Sequence, residues 1–248
     1  MTTCPPVYVP APAVTPRGRG LFAVAAFPPS PDHVECGVEY EPLFCGSKAA
    51  STHDPCNFTD GSLTPQPDLA SPHTGVPLVE GDPFTVYAGF KCSLVGRTLE
   101  DIRARAEAAL ALSEQRAVEY TYWTGVEGND PHLADLSAVV LAGGLAQDPK
   151  VALAELEDYL AAEYAGQGVI HAPAGLSVPW GDHLTADGAS GPLRTSLGTS
   201  VAFGGGYSDA NTSPAGVAAP AGQRWAYVTG HVAAWRGPVW FNPEPITQ

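Results

Sequence analysis

One long amphipathic segment constrains the fold of this chain more than any other feature of its sequence. Thr98 begins the run Thr-Leu-Glu-Asp, a capping-box pattern in which a hydroxyl and the acid three residues later satisfy the first free amides of a helix. Gly125 offers a stop, so we predict a helix over 99–124. Its apolar residues recur at spacings of three and four: Leu99, Ile102, Ala106, Ala109, Leu110, Ala117, Val118 and Trp123. About 26 residues give a length of roughly 39 Å, so this helix is expected to be the main axis of its domain.

The part of the chain before this helix is rich in proline, with 15 of the 25 prolines in the first 97 residues. Residues 1–20 show no apolar periodicity and are predicted to form an extended arm. We expect 21–27 to be one short buried strand and 36–80 to be a long excursion of the kind that usually serves a function. Apolar residues alternate over 84–92, which predicts a strand with one face inward.

Helix and strand signals alternate in the part of the chain that follows. Asp148 and Pro149 predict the start of a second helix, which continues to about Tyr164. A turn at Gly198 predicts a hairpin. Short strands are predicted at 168–173, 193–197, 199–203, 225–229, 232–235 and 239–241. This mixture predicts an α+β fold.

The composition is acidic, with a formal net charge of -14 and a pI near 4.7. Half of the carboxylates, 13 of 26, lie between residues 98 and 165. Because such a surface repels phosphate, high-affinity nucleic-acid binding is disfavoured. The sequence contains no run of roughly 20 apolar residues that could cross a bilayer, and its proline-rich start is unlike a standard export signal. We therefore expect a soluble protein that has no membrane partner and is not exported through such a signal.

The cysteines all lie in the first part of the chain: Cys4, Cys36, Cys45, Cys56 and Cys92. With the interleaved histidines His33, His53 and His73 they suggest a zinc site as an alternative, but no CxxC pair occurs and the spacings match no standard zinc module. An odd number of cysteines also argues against a complete set of disulfides. We expect most of these thiols to be buried small hydrophobic groups and predict no metal ligand.

A few other residues could carry chemistry, and a structural role is predicted for each. Glu114, Glu119 and Glu127 lie close in sequence, as acid–base carboxylates can, but we expect them to be solvated on an exposed helix face. His171 could be a general base, yet no nucleophile motif accompanies it, so a satisfied structural histidine is expected. The run 204–206 is three glycines without the Lys-Ser/Thr pair or the helix start of a phosphate loop, and we interpret it as a flexible strand exit. The sequence therefore predicts no enzyme, no catalytic residue and no cofactor.

In their order, these elements resemble the major capsid protein of tailed phages, whose Hong Kong 97-type fold is shared with bacterial encapsulins. In that family an N-terminal arm precedes an extended β-hairpin loop, a peripheral domain with a long spine helix, and an axial domain. The segment 114–125, followed by Gly-Asn-Asp-Pro at 128–131, is similar to the end of the family's spine helix. The strand at 168–173 resembles an axial-domain strand that ends in proline, and 193–201 resembles the family's Leu-Gly-x-x-Val hairpin.

The resemblance implies a division of the chain into five regions. These are the N-terminal arm at 1–20, a strand and extended loop at 21–82, a peripheral domain at 83–135 with its spine helix at 99–124, an axial domain at 136–223, and return strands at 224–248. Some members of the family cross-link a loop lysine to an asparagine of a neighbour. Lys48 lies in the corresponding loop, although no partner residue can be assigned to it.

The resemblance also implies a function. It predicts a structural shell protein that assembles with itself into hexamers and pentamers, together with scaffold, portal and cementing proteins, to form the icosahedral head of a bacteriophage. Packaged double-stranded DNA would be held by confinement rather than by specific binding. The protein would assemble in the bacterial cytoplasm and end in the virion. The alternatives are an encapsulin-type nanocompartment shell, another head or tail protein of a virion, and a Cys/His metal-binding module or an enzyme.

Overall fold

The computed structural model describes residues 14–40, 79–91, 98–164, 166–188 and 191–242. Over these residues the fold is α+β, as predicted, with one sheet of two strands and one of five. The strands are β1 Val38–Tyr40, β2 Val79–Gly81, β3 Val169–Pro173, β4 Thr185–Ala186, β5 Leu193–Arg194, β6 Ser200–Gly204 and β7 Tyr227–Thr229. The α-helices are α1 Leu99–Thr124, α2 Pro149–Glu163, α3 Ser177–Trp180 and α4 Gly205–Ala210. The domain boundaries given above stay predictions.

The ends of α1 are set by local chemistry, and both predicted ends are confirmed. The Thr98 hydroxyl accepts a hydrogen bond from the Asp101 amide at 3.1 Å, and the Asp101 carboxylate accepts one from the Thr98 amide at 3.0 Å. At the other end Gly125 adopts the left-handed conformation, with φ of 67°, and its amide donates to the Thr121 carbonyl. A side chain at Gly125 would also collide with the His132 ring.

The five-stranded sheet is mixed and has the order β4-β5-β6-β3-β7. The central strand β3 pairs in parallel with β6 and antiparallel with β7. The antiparallel pair β5–β6 confirms the predicted hairpin, although β5 is shorter than the sequence indicates. Because β3 and β6 are buried along their whole length, they form the core of the sheet.

Helices cover both faces of this sheet, which makes three layers. On one face α1 and α4 pack against Val169 and Ala202 through the fully buried ring of Trp123. On the other face α2 and α3 pack against Ile170 and Ala172 of β3 and Val201 and Phe203 of β6. Trp180 of α3 is the largest buried side chain there. The two faces thus follow the alternation of side chains along β3 and β6.

Several predicted strands are wrong. Residues 21–27 form a 3-10 turn over Leu21–Ala23 and one bridge from Ala26 to Ala233, rather than a strand. The described part of the predicted strand 84–92 belongs to neither sheet, and the same holds for the strands predicted at 232–235 and 239–241. These segments lie along α1. Among the described residues, no strand lies beside them to form backbone hydrogen bonds with them. Within the predicted strand 225–229, Tyr227–Thr229 forms β7, which pairs with β3 in the main sheet.

The two ends of the long excursion are joined by the antiparallel pair β1–β2, which we call its base. Its central part, residues 41–78, lies outside the described residues. Tyr40 and Val79 face each other in the β1–β2 pair, so both ends of the excursion are held side by side. The amide of Asp82 donates to the Asp130 carbonyl at 2.8 Å, which attaches this base to the turn that follows α1.

Candidate functional site

The most unusual side chain of the described residues is Glu119, near the end of α1. The sequence predicts a solvated carboxylate there, and this prediction is wrong: the residue is completely buried. One carboxylate oxygen accepts a hydrogen bond from the Leu21 amide at 3.1 Å, and the other accepts one from the Gly206 amide at 3.0 Å. The carboxylate therefore joins three separate parts of the chain, namely the N-terminal segment, α1 and the start of α4.

Glycines surround this carboxylate because there is no room for a side chain. A Cβ atom at Gly20 would lie 2.3 Å from a carboxylate oxygen of Glu119, and one at Gly204 would lie 2.7 Å from either of two atoms of that carboxyl group. At Gly206 a Cβ atom would lie 2.2 Å from the Arg116 carbonyl oxygen. The run 204–206 is therefore not a flexible strand exit, as predicted from sequence. It is the point where β6 turns into α4 and where α4 approaches the backbone of α1.

Burial and hydrogen bonding act on Glu119 in opposite directions. Burial raises its pKa above the ordinary value of 4.5 and is the larger effect. Hydrogen bonds from the amides of Gly206, Leu21 and Gly205, and the charge of Arg17, act to lower it. The net pKa is raised, so this group holds a proton more readily in the folded chain than in water.

His171 lies in the core between β3, α4 and β7, with no solvent exposure. Its Nδ1 atom is 3.0 Å from the Tyr207 hydroxyl, and its Nε2 atom is 3.0 Å from Thr229 Oγ1. The Thr229 hydroxyl also lies 3.0 Å from the Gly230 carbonyl oxygen, and the tautomer of the ring decides which of the two hydroxyls donates to it. Burial lowers the pKa of His171 to about 3. The ring is neutral and satisfied, as expected for a structural histidine.

The three glutamates singled out by the sequence do not form one site. Glu114 accepts from the Arg236 guanidinium at 2.7 Å and so fastens the extended C-terminal segment to α1. Glu119 binds backbone amides on another side of the helix. The side chain of Glu127 lies outside the described residues. The geometry separates the first two, which leaves no pair for acid–base chemistry between them.

The first part of α1 borders a large groove, with a volume of about 2390 Å³. One wall is α1, and the other walls include the segments 83–91 and 231–242, with further residues from 21–40 and 129–131. The Arg103 guanidinium lies over the Phe241 ring and the Arg105 guanidinium over the Phe90 ring, so each segment is held to the helix. The apolar residues that line the groove are Leu99, Ile102, Ala106, Leu110, Phe84, Val86, Phe90, Trp235, Val239 and Phe241.

A Cys/His metal module was one alternative from the sequence, and most of the residues it would use lie outside the described part of the chain. Cys36 is a free, exposed thiol there, while Cys4, Cys45, Cys56 and Cys92 lie outside it. His53 and His73 also lie outside the described residues. Within the described ranges, no three His, Cys, Asp or Glu residues are grouped so as to hold a metal ion.

Sequence reasoning missed the junction at Glu119, although a signal for it exists. Gly20 and the run 204–206 are the residues that approach the carboxylate, and glycine clusters often indicate close approach of backbone to another group. Nothing in the local sequence pairs those glycines with a glutamate nearly a hundred positions away, because the pairing arises only when the sheet brings the segments together.

No described helix combines the length and apolar character that crossing a membrane would require. Comparison with family models, with curated proteins and with solved structures gives no match for this chain.

Proposed function

We propose that this chain is the structural shell protein of a tailed-phage head, a major capsid protein that assembles with itself around double-stranded DNA. In this role the protein is a building unit of hexamers and pentamers and performs no catalysis. Scaffold, portal and cementing proteins are the partners expected for such a unit, and the virion is its location. The proposal is supported by a difference between two regions of the described residues. One is the body, which is the five-stranded sheet with α2, α3, α4 and the end of α1 packed on it. The other is the rod, which is the first part of α1 with the segments 83–91 and 231–242 beside it.

The observation that carries the proposal is the open groove beside α1. Only the last residues of this 26-residue helix are buried, at Glu119, Thr121 and Trp123. At its start Leu99, which lines the groove, is 55% exposed, and at its middle Leu112, which lies outside the groove lining, is 42% exposed. A helix that ends in a packed core and leaves apolar residues beside a groove of about 2390 Å³ is suited to further contacts with other subunits.

The paired base of the excursion is a second feature that a shell subunit would use. Because Tyr40 and Val79 are register partners, the two residues that flank 41–78 lie side by side on the subunit. Such a segment can contact a neighbour without disturbing the three-layer body, and many modest contacts of this kind suffice when symmetry repeats them. The acidic net charge of -14 is compatible with DNA that is retained by confinement.

The direct test is the state of association of the purified chain. Light scattering and negative-stain microscopy at neutral pH, in reducing buffer, are expected to show closed particles or rings of five or six subunits. A chain that remains monomeric at every concentration contradicts a subunit that assembles unaided. Particles that always enclose one co-purified protein would instead favour the encapsulin alternative.

A loop replacement makes this test sharper. Replacing 41–78 by Asn-Gly joins Tyr40 to Val79 through a two-residue hairpin turn that the antiparallel register accepts. We expect this variant to keep the melting transition of the body and to lose assembly. A matched control carries a shuffled 41–78 segment of the same length and composition, which separates specific contacts from a need for length alone. Assembly that survives the replacement would contradict a role for this loop.

A further inference from the structure

The N-terminal segment 14–21 is held on the body by hydrogen bonds and by the buried side chain of Leu21, and one of those hydrogen bonds is to the Glu119 carboxylate. The Leu21 amide donates to Glu119 at 3.1 Å. The Phe203 amide donates to the Arg19 carbonyl at 2.9 Å, and the Gln115 side chain donates to the Arg17 carbonyl at 3.4 Å. Val14 is 67% exposed, so the segment leaves the surface soon after these contacts.

The backbone of this segment covers the Glu119 carboxylate directly. A Cβ atom at Gly20 would lie 2.3 Å from one of its oxygens, which leaves no space for water between the two. The other oxygen faces α4 through the Gly206 amide. Departure of 14–21 would therefore open one side of the carboxylate to solvent while the α4 contact remained.

The charged and titratable groups around Glu119 come from each element packed against it. Arg17 of the N-terminal segment supplies a positive charge that acts on the carboxylate. Arg116 of α1 is occupied by Asp209 of α4 at 2.6 Å. Tyr207 of α4 is buried, and its pKa is raised well above 10.0, chiefly by burial and next by the charge of Glu119, so its hydroxyl stays neutral.

We propose that Glu119 is a proton-sensitive latch, which holds residues 14–21 on the body more tightly in mildly acid than in alkaline solution. Burial disfavours the ionised form of the Glu119 carboxylate, and the segment supplies part of that burial through Gly20. When the segment is docked, the group takes up a proton more readily than it does when solvent reaches it. Docking is therefore coupled to proton binding, and this inference stands whether or not the chain builds a shell.

The sign of the effect follows from the direction of the pKa. The docked state has the raised pKa. On release, solvent replaces the burial, the Leu21 amide and the Arg17 charge that the segment supplies, so we expect the pKa to move toward the ordinary value of 4.5. Between these two values the docked state binds more protons, so docking strengthens as the pH falls through that interval and weakens as the pH rises through it. His171 does not contribute in this range, because its pKa is lowered to about 3.

Hydrogen exchange followed by mass spectrometry tests the latch in the full chain. The readout is the protection factor of the Leu21 and Phe203 amides, corrected for intrinsic exchange at each pH, with amides of β3 as the internal reference. We expect protection to fall several-fold between pH 5 and pH 8.5, with the β3 reference unchanged. Protection that is independent of pH, or that rises with pH, overturns the proposal.

Matched variants identify the titrating group. Glu119→Gln is expected to abolish the pH dependence, while Glu107→Gln, at an exposed carboxylate of the same helix paired with Arg103, leaves it intact. If Glu119→Gln weakens the whole body, Arg17→Gln keeps the carboxylate in place and removes the nearby charge. That variant is expected to move the midpoint of the transition to higher pH. A wild-type midpoint in Arg17→Gln, or a wild-type pH dependence in a folded Glu119→Gln, contradicts the latch.

Discussion

The two ends of α1 contain similar amphipathic patterns but have different surroundings. At the C-terminal end Trp123 is fully buried, with its ring 5.4 Å from Tyr207 and 4.8 Å from Tyr227. At the N-terminal end Leu99 is 55% exposed, and at the middle of the helix Leu112 is 42% exposed. The difference shows that apolar spacing establishes which face of a helix can be buried, whereas the elements opposite that face determine whether it is. The body is expected to be stable by itself, and the rod to gain its remaining contacts from other subunits.

The largest effect expected from this comparison is the loss of Trp123. Trp123→Ala removes a fully buried indole and one of the two donors to the Thr212 carbonyl, which keeps the Tyr227 hydroxyl, so the free energy of unfolding should fall by about 3–5 kcal/mol. Leu112→Ala on the same helix is the control, with an expected change of about 0.5 kcal/mol or less. Urea denaturation of both variants measures the difference. Similar losses at the two positions would show that the rod is as tightly packed as the body.

A smaller effect is expected at the close approach of α4 to α1. Gly206→Ala places a Cβ atom 2.2 Å from the Arg116 carbonyl oxygen, so α4 must shift, at a cost of about 1–3 kcal/mol. Gly175→Ala is the matched control, because no atom lies within 4 Å of its added Cβ. Thermal melting of the two variants checks this prediction. Equal melting temperatures would mean that the two helices are not in close contact.

His171 makes the body sensitive to acid. Its pKa is about 3 in the folded chain and 6.5 ordinarily, so the unfolded chain binds the proton first and stability is lost as the pH falls below 6.5. The pKa difference implies a loss of about 2 kcal/mol between pH 7 and pH 5. Denaturation at both pH values should show a smaller loss in His171→Gln and an unchanged loss in His183→Gln, whose side chain is exposed. An identical pH slope in all three proteins would contradict the burial of a neutral ring.

The smallest effect is expected on the rod itself. Arg236 and Glu114 form an ion pair at 2.7 Å, with the arginine side chain 56% exposed, so solvent screens much of the attraction. A double-mutant cycle with Arg236→Gln and Glu114→Gln should give a coupling energy of about 0.2–1 kcal/mol, which decreases as salt is added. A coupling of several kcal/mol would place this pair in a buried setting, and would remove the contrast between rod and body.

Local patterns predicted α1, α2 and the hairpin β5–β6 well, but not the short helices α3 and α4. Thr98 with Asp101, Gly125, and Asp148 with Pro149 satisfy or terminate backbone hydrogen bonds within a few residues, so their effect does not depend on the rest of the fold. The hairpin β5–β6 was predictable for the same reason. The strands expected at 84–92 and 232–241 were not confirmed within the described residues, because a strand requires a partner and its own sequence does not say whether one is present.

The sequence alone therefore determined the α+β class, the full length of α1 and the start of α2, since these depend on contacts between residues close in the chain. Only the tertiary structure decided that Glu119 is buried beneath Gly20 and bound to Leu21 and Gly206, and that Gly205 begins a helix. These features depend on segments separated by nearly a hundred residues, which meet only because the central sheet brings them together. A carboxylate on an amphipathic helix has the same local pattern whether water or backbone amides surround it, and the fold makes that choice.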